Sequence, residues 1–188
     1  MYRPRKWVQV LVSDISLILT NQLKKVMKRL ILVRHGKAEE EASGISDFER
    51  SLTLRGKIIS RLMARRLSEK EESIGVILTS SAFRALETAL IFAGEFGIDA
   101  DKILMSNDMY YKMSLENLPS LLSVIREDAD TITLFGHNPS FTQIANSLSR
   151  EGCDPIPKSG IICISFKIPT WSDIGRNNGK IEYFLKPE

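Results

Sequence analysis

Short apolar runs alternate along this chain with stretches of helical period, and the alternation predicts an architecture. Arg29 to Arg34 encloses the continuous run Leu30-Ile31-Leu32-Val33, the pattern of a strand buried on both faces. A polar stretch from Lys37 to Arg50 then predicts a long loop over the rim of the sheet. From about Thr53 to Glu69, Leu54, Ile58, Leu62 and Arg65 run beside Ile59, Met63 and Leu67 at helical spacing, which predicts a helix. Val76 to Thr79 predicts a second strand, Ala82 to Phe96 a helix closed by Gly97 as a left-handed cap, and Ile103-Leu104-Met105 a short strand. Leu115 to Arg126 predicts a helix with Pro119 in its first turn. Thr131 to Phe135 predicts another strand, after which Asn138 as N-cap and Pro139 at the first helical position predict a helix over Ser140 to Leu148. Gly160 to Lys167 and Lys180 to Lys186 predict two further strands. Strands alternating with helices imply the α/β class, as a three-layer α/β/α sandwich around a mostly parallel sheet. No internal repeat, low-complexity tract or domain linker interrupts it.

The polar residues that end the strands give this pattern its interest. The chain has two histidines, and each follows an apolar run beside a glycine: Leu30-Ile31-Leu32-Val33-Arg34-His35-Gly36 and Thr131-Ile132-Thr133-Leu134-Phe135-Gly136-His137-Asn138. Ligands of open α/β sheets bind outside the carboxyl ends of the strands, so both imidazoles are expected at one crevice. The strand over Val76 to Thr79 leads into Ser80-Ser81-Ala82-Phe83-Arg84, which places Arg84 in the first turn of a helix at the same rim. A histidine at a strand end is often only a structural residue, and Arg34 and Arg84 are each compatible with surface ion pairs. The joint placement of His35, His137, Arg34 and Arg84 is what points to a site.

Composition removes several other function classes. At 188 residues with 43% hydrophobic content the chain suits one globular domain. Its net charge of +3 is concentrated in residues 1–26, which carry Arg3, Arg5, Lys6, Lys24 and Lys25 against Asp14 alone, so the rest of the chain is at −1. That balance leaves no basic surplus for following a nucleic-acid backbone. Val8 to Thr20 is apolar over 13 residues but contains Asp14 and is too short for a membrane span. Val8, Leu11, Val12, Ile15, Leu19, Leu23 and Val26 recur at helical spacing, so residues 1–26 read as an extension, either an amphipathic helix or a segment ahead of a natural start at Met27. Residues 27–188 form the expected domain. Cys163 lies in an apolar run and reads as a buried inert thiol rather than a disulfide partner of Cys153. No CxxC or HxxxH spacing supports a zinc site, and neither a metal nor a cofactor is expected.

An arginine and a histidine at a strand end, followed by glycine, suit phosphoryl transfer. Neutral imidazole is a nucleophile for phosphorus near neutral pH, the guanidinium grips phosphate oxygens in a fork, and Gly36 permits close backbone approach. Arg84 adds a second fork at a helix N-terminus, and His137, if protonated, a further donor to the phosphoryl oxygens. Such a pocket neutralises the developing charge with side chains.

Leu32-Val33-Arg34-His35-Gly36-Lys37-Ala38 resembles the RHG motif of the histidine phosphatase superfamily, the phosphoglycerate mutase-like group. Ser80-Ser81-Ala82-Phe83-Arg84-Ala85-Leu86-Glu87-Thr88 resembles its SxAxRAxET motif. Gly136-His137-Asn138-Pro139 resembles the GHNP form of the SixA-type phosphohistidine phosphatases. Asp47-Phe48-Glu49-Arg50-Ser51-Leu52-Thr53-Leu54-Arg55-Gly56, Pro157-Lys158-Ser159-Gly160 and Trp171 are similar to the same branch. The resemblance runs from about Met27 to Pro187. It implies that His35 is the nucleophile that becomes phosphorylated, that Arg34 and Arg84 bind the phosphate, that His137 stabilises the transferring group, and that Asp47 and Arg50 line the mouth.

The general acid is where the sequence departs from the superfamily. Many members take a Glu or Asp from a segment that here reads Met105-Ser106-Asn107-Asp108-Met109-Tyr110-Tyr111, leaving Asp108 and Asp47 as candidates without a clear match. A labile P–N bond needs less help from an acid than an ester does, which favours phosphohistidine as substrate. The leading expectation is therefore a cytoplasmic phosphohistidine phosphatase acting on a phosphorylated signalling or phosphotransfer protein, with inorganic phosphate as product. The alternatives are a phosphatase for small sugar or nucleotide phosphate esters and a non-catalytic phosphate-binding module.

Overall fold

The computed structural model describes residues 27–41, 43–111, 113–123, 125 and 129–188, so the expectations for residues 1–26 lie outside the described residues. Six strands form one sheet: β1 (Met27–Arg34), β2 (Val76–Ser80), β3 (Leu104–Ser106), β4 (Thr131–Gly136), β5 (Ile161–Lys167) and β6 (Gly179–Leu185), in the order β3-β2-β4-β1-β5-β6. β1, β2, β3 and β4 pair in parallel, whereas β5 runs antiparallel to β1 and to β6. The helices are α1 (Leu54–Ser68), α2 (Phe83–Glu95), the short α3 (Asp108–Tyr111) and α4 (Leu118–Ser123), and α5 (Ser140–Leu148). The three-layer α/β/α sandwich around a mostly parallel sheet is thus the observed fold.

Residue alternation along β1 builds both cores. Leu30 and Leu32 face one side with Phe141, Ile144 and Leu148 of α5 and with Leu118 and Leu122 of α4. Ile31 and Val33 face the other, against Met63, Ala64 and Leu67 of α1 and Ala89, Phe92 and Ala93 of α2. Each fully buried aliphatic side chain contributes roughly 1.5–3 kcal/mol, so this run anchors the domain from both faces. Cys163 is buried on the α1/α2 side.

α1 begins where the sequence places it: the Gly56 amide donates to Thr53 Oγ1 at 3.0 Å, an N-cap. Gly56 is required by close approach, since a Cβ there would stand 2.2 Å from the Lys37 carbonyl oxygen. The helix read over Leu115 to Arg126 is observed as α4, which starts at Leu118 because the residues ahead of it form turns; 124 and 126 lie outside the described residues. The Asn138 N-cap is overturned. Asn138 Nδ2 donates instead to the Ile156 carbonyl at 3.0 Å, and the capping position of α5 falls on Pro139 without a side-chain bond. Within the expected loop over 37–50, Asp47–Glu49 forms a single 3-10 turn.

Strand register explains the convergence on one rim. Arg34 stands opposite Gly136, so β1 and β4 end together, and the His35 amide donates to the Gly136 carbonyl at 3.0 Å. Thr79 stands opposite Phe135, which brings Ser80 to the same level. His35, His137 and Ser80 therefore become neighbours although widely separated in sequence.

Candidate active site

The rim residues line a cavity of about 610 Å³. Arg34, His35, Arg50, Arg84 and His137 border it, as the sequence expects. Ala38, Tyr110, Tyr111, Asn138 and Lys158 border it as well, and these the motif reading did not assign to the site. Lys158 lay within a stretch already singled out for its resemblance. Tyr110 and Tyr111 gave no signal, because α3 brings them over the rim only through the fold.

His35 is 8% exposed, and its Nδ1 lies 2.8 Å from the Gly36 carbonyl oxygen. A carbonyl only accepts, so Nδ1 carries the proton and Nε2 the lone pair. Burial foremost, then His137, Arg84 and Arg34, push its pKa down to about 3 against the bond to Gly36, which raises it. The ring is neutral at pH 7, as a nucleophile requires. Its centroid lies 5.0 Å from that of His137, the planes tilted by 55°.

His137 Nε2 is 2.9 Å from Ser80 Oγ, and its buried Nδ1 has no hydrogen-bond partner among the described residues. Burial first, then Arg84 and Arg34, lower its pKa to about 4, with Asp47 acting in the opposite sense. His137 in the free pocket is therefore a neutral ring rather than the charged donor considered from sequence.

Arg34 is half-buried; Nη1 donates to the Ile156 carbonyl at 2.8 Å, and the buried Nε has no partner among the described residues. Burial draws its pKa down. Arg84, 5% exposed, sits in the first turn of α2 as expected and is engaged by Asp47, whose Oδ2 accepts from Nη2 at 2.8 Å while its backbone carbonyl accepts from Nη1.

Asp47 is the hub of the mouth. Its carboxylate also accepts from Tyr110 Oη at 2.7 Å and from Arg50 Nε at 3.0 Å, while Arg50 Nη1 reaches the Glu39 carbonyl at 2.7 Å. Burial works against the charge, but the bonds from Tyr110, Arg50 and Arg84 outweigh it and hold Asp47 well below the usual carboxylate range. Asp47 is thus corrected as a candidate acid: it stays ionised and has no proton to give. Asp108 is corrected too, because it is exposed at the start of α3 and lines a neighbouring cleft with Ser106, Met113 and Asn117.

Gly36 also differs from its expected role. Its amide donates to Thr88 Oγ1 at 3.1 Å, and a Cβ would lie 2.6 Å from Ser60 Oγ. The missing side chain admits α1 rather than a ligand, and the amide is already used. Thr88 and Glu87 serve the same scaffold: Glu87 accepts from the Leu52 amide and pairs with Lys57 at 2.8 Å, tying α2 to α1.

Among the described residues no group of three or more His, Cys, Asp or Glu side chains is arranged to hold a metal ion, and no helix is long and apolar enough to cross a membrane. Among the described residues the cavity at the carboxyl ends of the parallel strands is bordered by Arg34, Arg50, Arg84 and Lys158, with Asp47 bonded to Arg50 and Arg84, so the site is electropositive.

Comparison with known proteins identifies the class. Residues 30–106 match the model of the histidine phosphatase superfamily (branch 1). SixA of Agrobacterium tumefaciens superposes with a TM-score of 0.69 at 26% identity, covering 85% of this chain and 99% of that one. The protein histidine phosphatase SixA complexed with tungstate gives 0.71 at 21% identity, with 85% and 97% covered. Mycobacterial glucosyl-3-phosphoglycerate phosphatase gives 0.60 at 12%, with 83% and 97% covered, a likeness of fold alone. No curated protein sequence matches the chain. Residues 30–106 are similar to the histidine phosphatase superfamily, the chain has the phosphoglycerate mutase-like fold, and the coarse activity that these likenesses support is that of a phosphatase.

Proposed function

We propose that this phosphatase removes the phosphoryl group from phosphohistidine in a signalling or phosphotransfer protein, through a covalent intermediate on His35. The observation that carries this reading is the pocket lining: among the described residues it presents His35, His137 and several cations but no carboxylic acid. An ester leaves as an alkoxide, which demands a proton from a positioned acid. An imidazole already protonated on its second nitrogen departs as a neutral ring and needs none. Asp47 is ionised and Asp108 stands outside the pocket, so the leaving group that fits is the one that needs no acid.

In this scheme His35 Nε2 attacks phosphorus from the side opposite the substrate ring. The new P–N bond forms as the substrate P–N bond breaks, and the bonding pair leaves on the substrate imidazole. His35 retains its Nδ1 proton, so the phosphorylated ring is cationic and the Gly36 carbonyl stabilises it. Water then attacks phosphorus, the bonding pair returns to Nε2, and inorganic phosphate departs. Arg34 and Arg84, which border the cavity, bind the non-bridging oxygens. Burial foremost lowers the His137 pKa, and a dianionic phosphoryl group offsets the further lowering by Arg84 and Arg34, so its arrival favours proton uptake by His137. Arg50 and Lys158 at the mouth draw the anion inward.

Phosphate release from a phosphohistidine protein and from an alkyl phosphate ester such as glycerol 3-phosphate, measured side by side for the wild type and His35→Ala, tests the reading. His35-dependent release from the protein with little from the ester is expected. The reverse preference transfers the enzyme to small phosphate esters, and no release from either makes the pocket a binding module.

A further inference from the structure

The rings at this site form a continuous series from the nucleophile to the solvent. His35 meets His137 at 5.0 Å between centroids, His137 meets Tyr110 edge-on at 5.5 Å, and Tyr110 meets Tyr111 edge-on at 4.6 Å with an interplanar angle of 83°. Tyr110 is fixed: its hydroxyl is bonded to Asp47, its face lies 5.8 Å from the Arg84 guanidinium carbon, and its edge abuts Phe48 at 5.4 Å. Tyr111 is the free end of the series, 69% exposed, and it borders the cavity.

An in-line displacement puts the leaving group on the far side of phosphorus from His35, toward the mouth. The mouth is therefore where the identity of the leaving group is read. Arg50 and Lys158 supply charge there, and the tyrosines supply flat apolar surface. A small alkyl leaving group makes little use of an aromatic face, whereas a planar ring bonded directly to phosphorus stacks on it.

Resting on the phosphohistidine reading, we infer that Tyr111, braced by Tyr110, is the specificity residue of this site: it stacks on the planar ring of the leaving group and selects aromatic over aliphatic phosphoryl donors. Its exposure before binding is the source of the gain, since the stack covers apolar surface that otherwise faces water. An aromatic pair at a partly solvated site corresponds to a preference of roughly three- to tenfold.

Phenylphosphonate and methylphosphonate test this without turnover, because the first carries a flat ring on phosphorus, as phosphohistidine does, and the second does not. Calorimetry on the full-length wild type should show phenylphosphonate binding roughly three- to tenfold more tightly. Tyr111→Ala should bring the two ligands to similar affinity, and Tyr111→Phe should restore the difference. A wild type that binds both equally, or a preference that survives in Tyr111→Ala, overturns the inference. Phosphate release from a phosphohistidine peptide by the same wild-type preparation reports separately on the function: no release, together with an intact phenylphosphonate preference, removes the phosphohistidine reading and leaves the Tyr111 platform standing.

Discussion

Arg29 and Arg34 lie on the same strand, near its two ends, and the protein treats them in opposite ways. Arg29 makes a bidentate pair with Glu71, Nη1 bonding Oε2 at 2.6 Å and Nη2 bonding Oε1, and that pairing raises its pKa against the opposing effect of burial. Among the described residues the Arg34 side chain bonds a backbone carbonyl and no carboxylate, its Nε is unpartnered, and burial lowers its pKa. A guanidinium whose donors are consumed by a carboxylate holds the fold, whereas Arg34 forms part of the cavity wall. Arg84 stands between these cases. Asp47 engages it as Glu71 engages Arg29, but the same carboxylate is shared with Tyr110 and Arg50. That sharing makes Asp47 a spacer that keeps the arginines apart and oriented until an anion arrives.

The comparison breaks most sharply at Arg84. Arg84→Ala should lower kcat/KM by about 10²–10³, the scale of a lost donor to a transition state. An activity loss below about threefold would remove Arg84 from the phosphate site. Asp47→Asn tests the spacer role: kcat should fall roughly tenfold as Arg84 and Tyr110 lose their anchor, and inorganic phosphate should inhibit more tightly because a competing negative charge is gone. Weaker phosphate inhibition in that variant contradicts the assignment.

The depressed histidines give a pH dependence of stability. His35 and His137 fall to about 3 and about 4 in the fold, whereas unfolded histidine titrates near 6.5, so the unfolded chain binds more protons between those values. Their contribution is fully present above about pH 6.5 and is lost as the pH falls toward those values, costing on the order of 2 kcal/mol per histidine at pH 5. Urea unfolding at pH 7 and pH 5 should show this loss, and His35→Gln should reduce it; an unchanged difference would refute the neutral His35. Arg29→Ala should have the smallest effect on turnover, within about twofold, yet reduce stability by about 1–3 kcal/mol by leaving Glu71 unpaired.

Most of the scaffold was legible because periodicity reports burial. α1 runs from its Thr53 cap almost to the residue that the apolar spacing indicates, and the continuous run in β1 declares a strand covered on both faces. Arg34, His35, Arg84 and His137 were legible for a related reason: strand ends in a parallel sheet face one rim. What sequence did not show depends on contacts across the fold. Asn138 had the composition of a cap, but the Ile156 carbonyl competes for its amide. Asp47 was named as a candidate acid, yet its protonation is set by Tyr110, Arg50 and Arg84 acting together. Tyr110 and Tyr111 sit on a four-residue helix too short to leave a periodic signal. Gly36, which borders a phosphate motif, owes its missing side chain to Ser60 on a different element.

The account rests on His35 as the atom that receives phosphorus. Rapid quenching of the enzyme with a ³²P-phosphohistidine protein, followed by peptide mapping under alkaline conditions that preserve phosphohistidine, examines that directly. The label should appear on the peptide containing His35, turn over on the timescale of phosphate release, and be absent in His35→Ala. Full phosphate release with no label on His35, or with the label on another residue, would contradict the covalent mechanism.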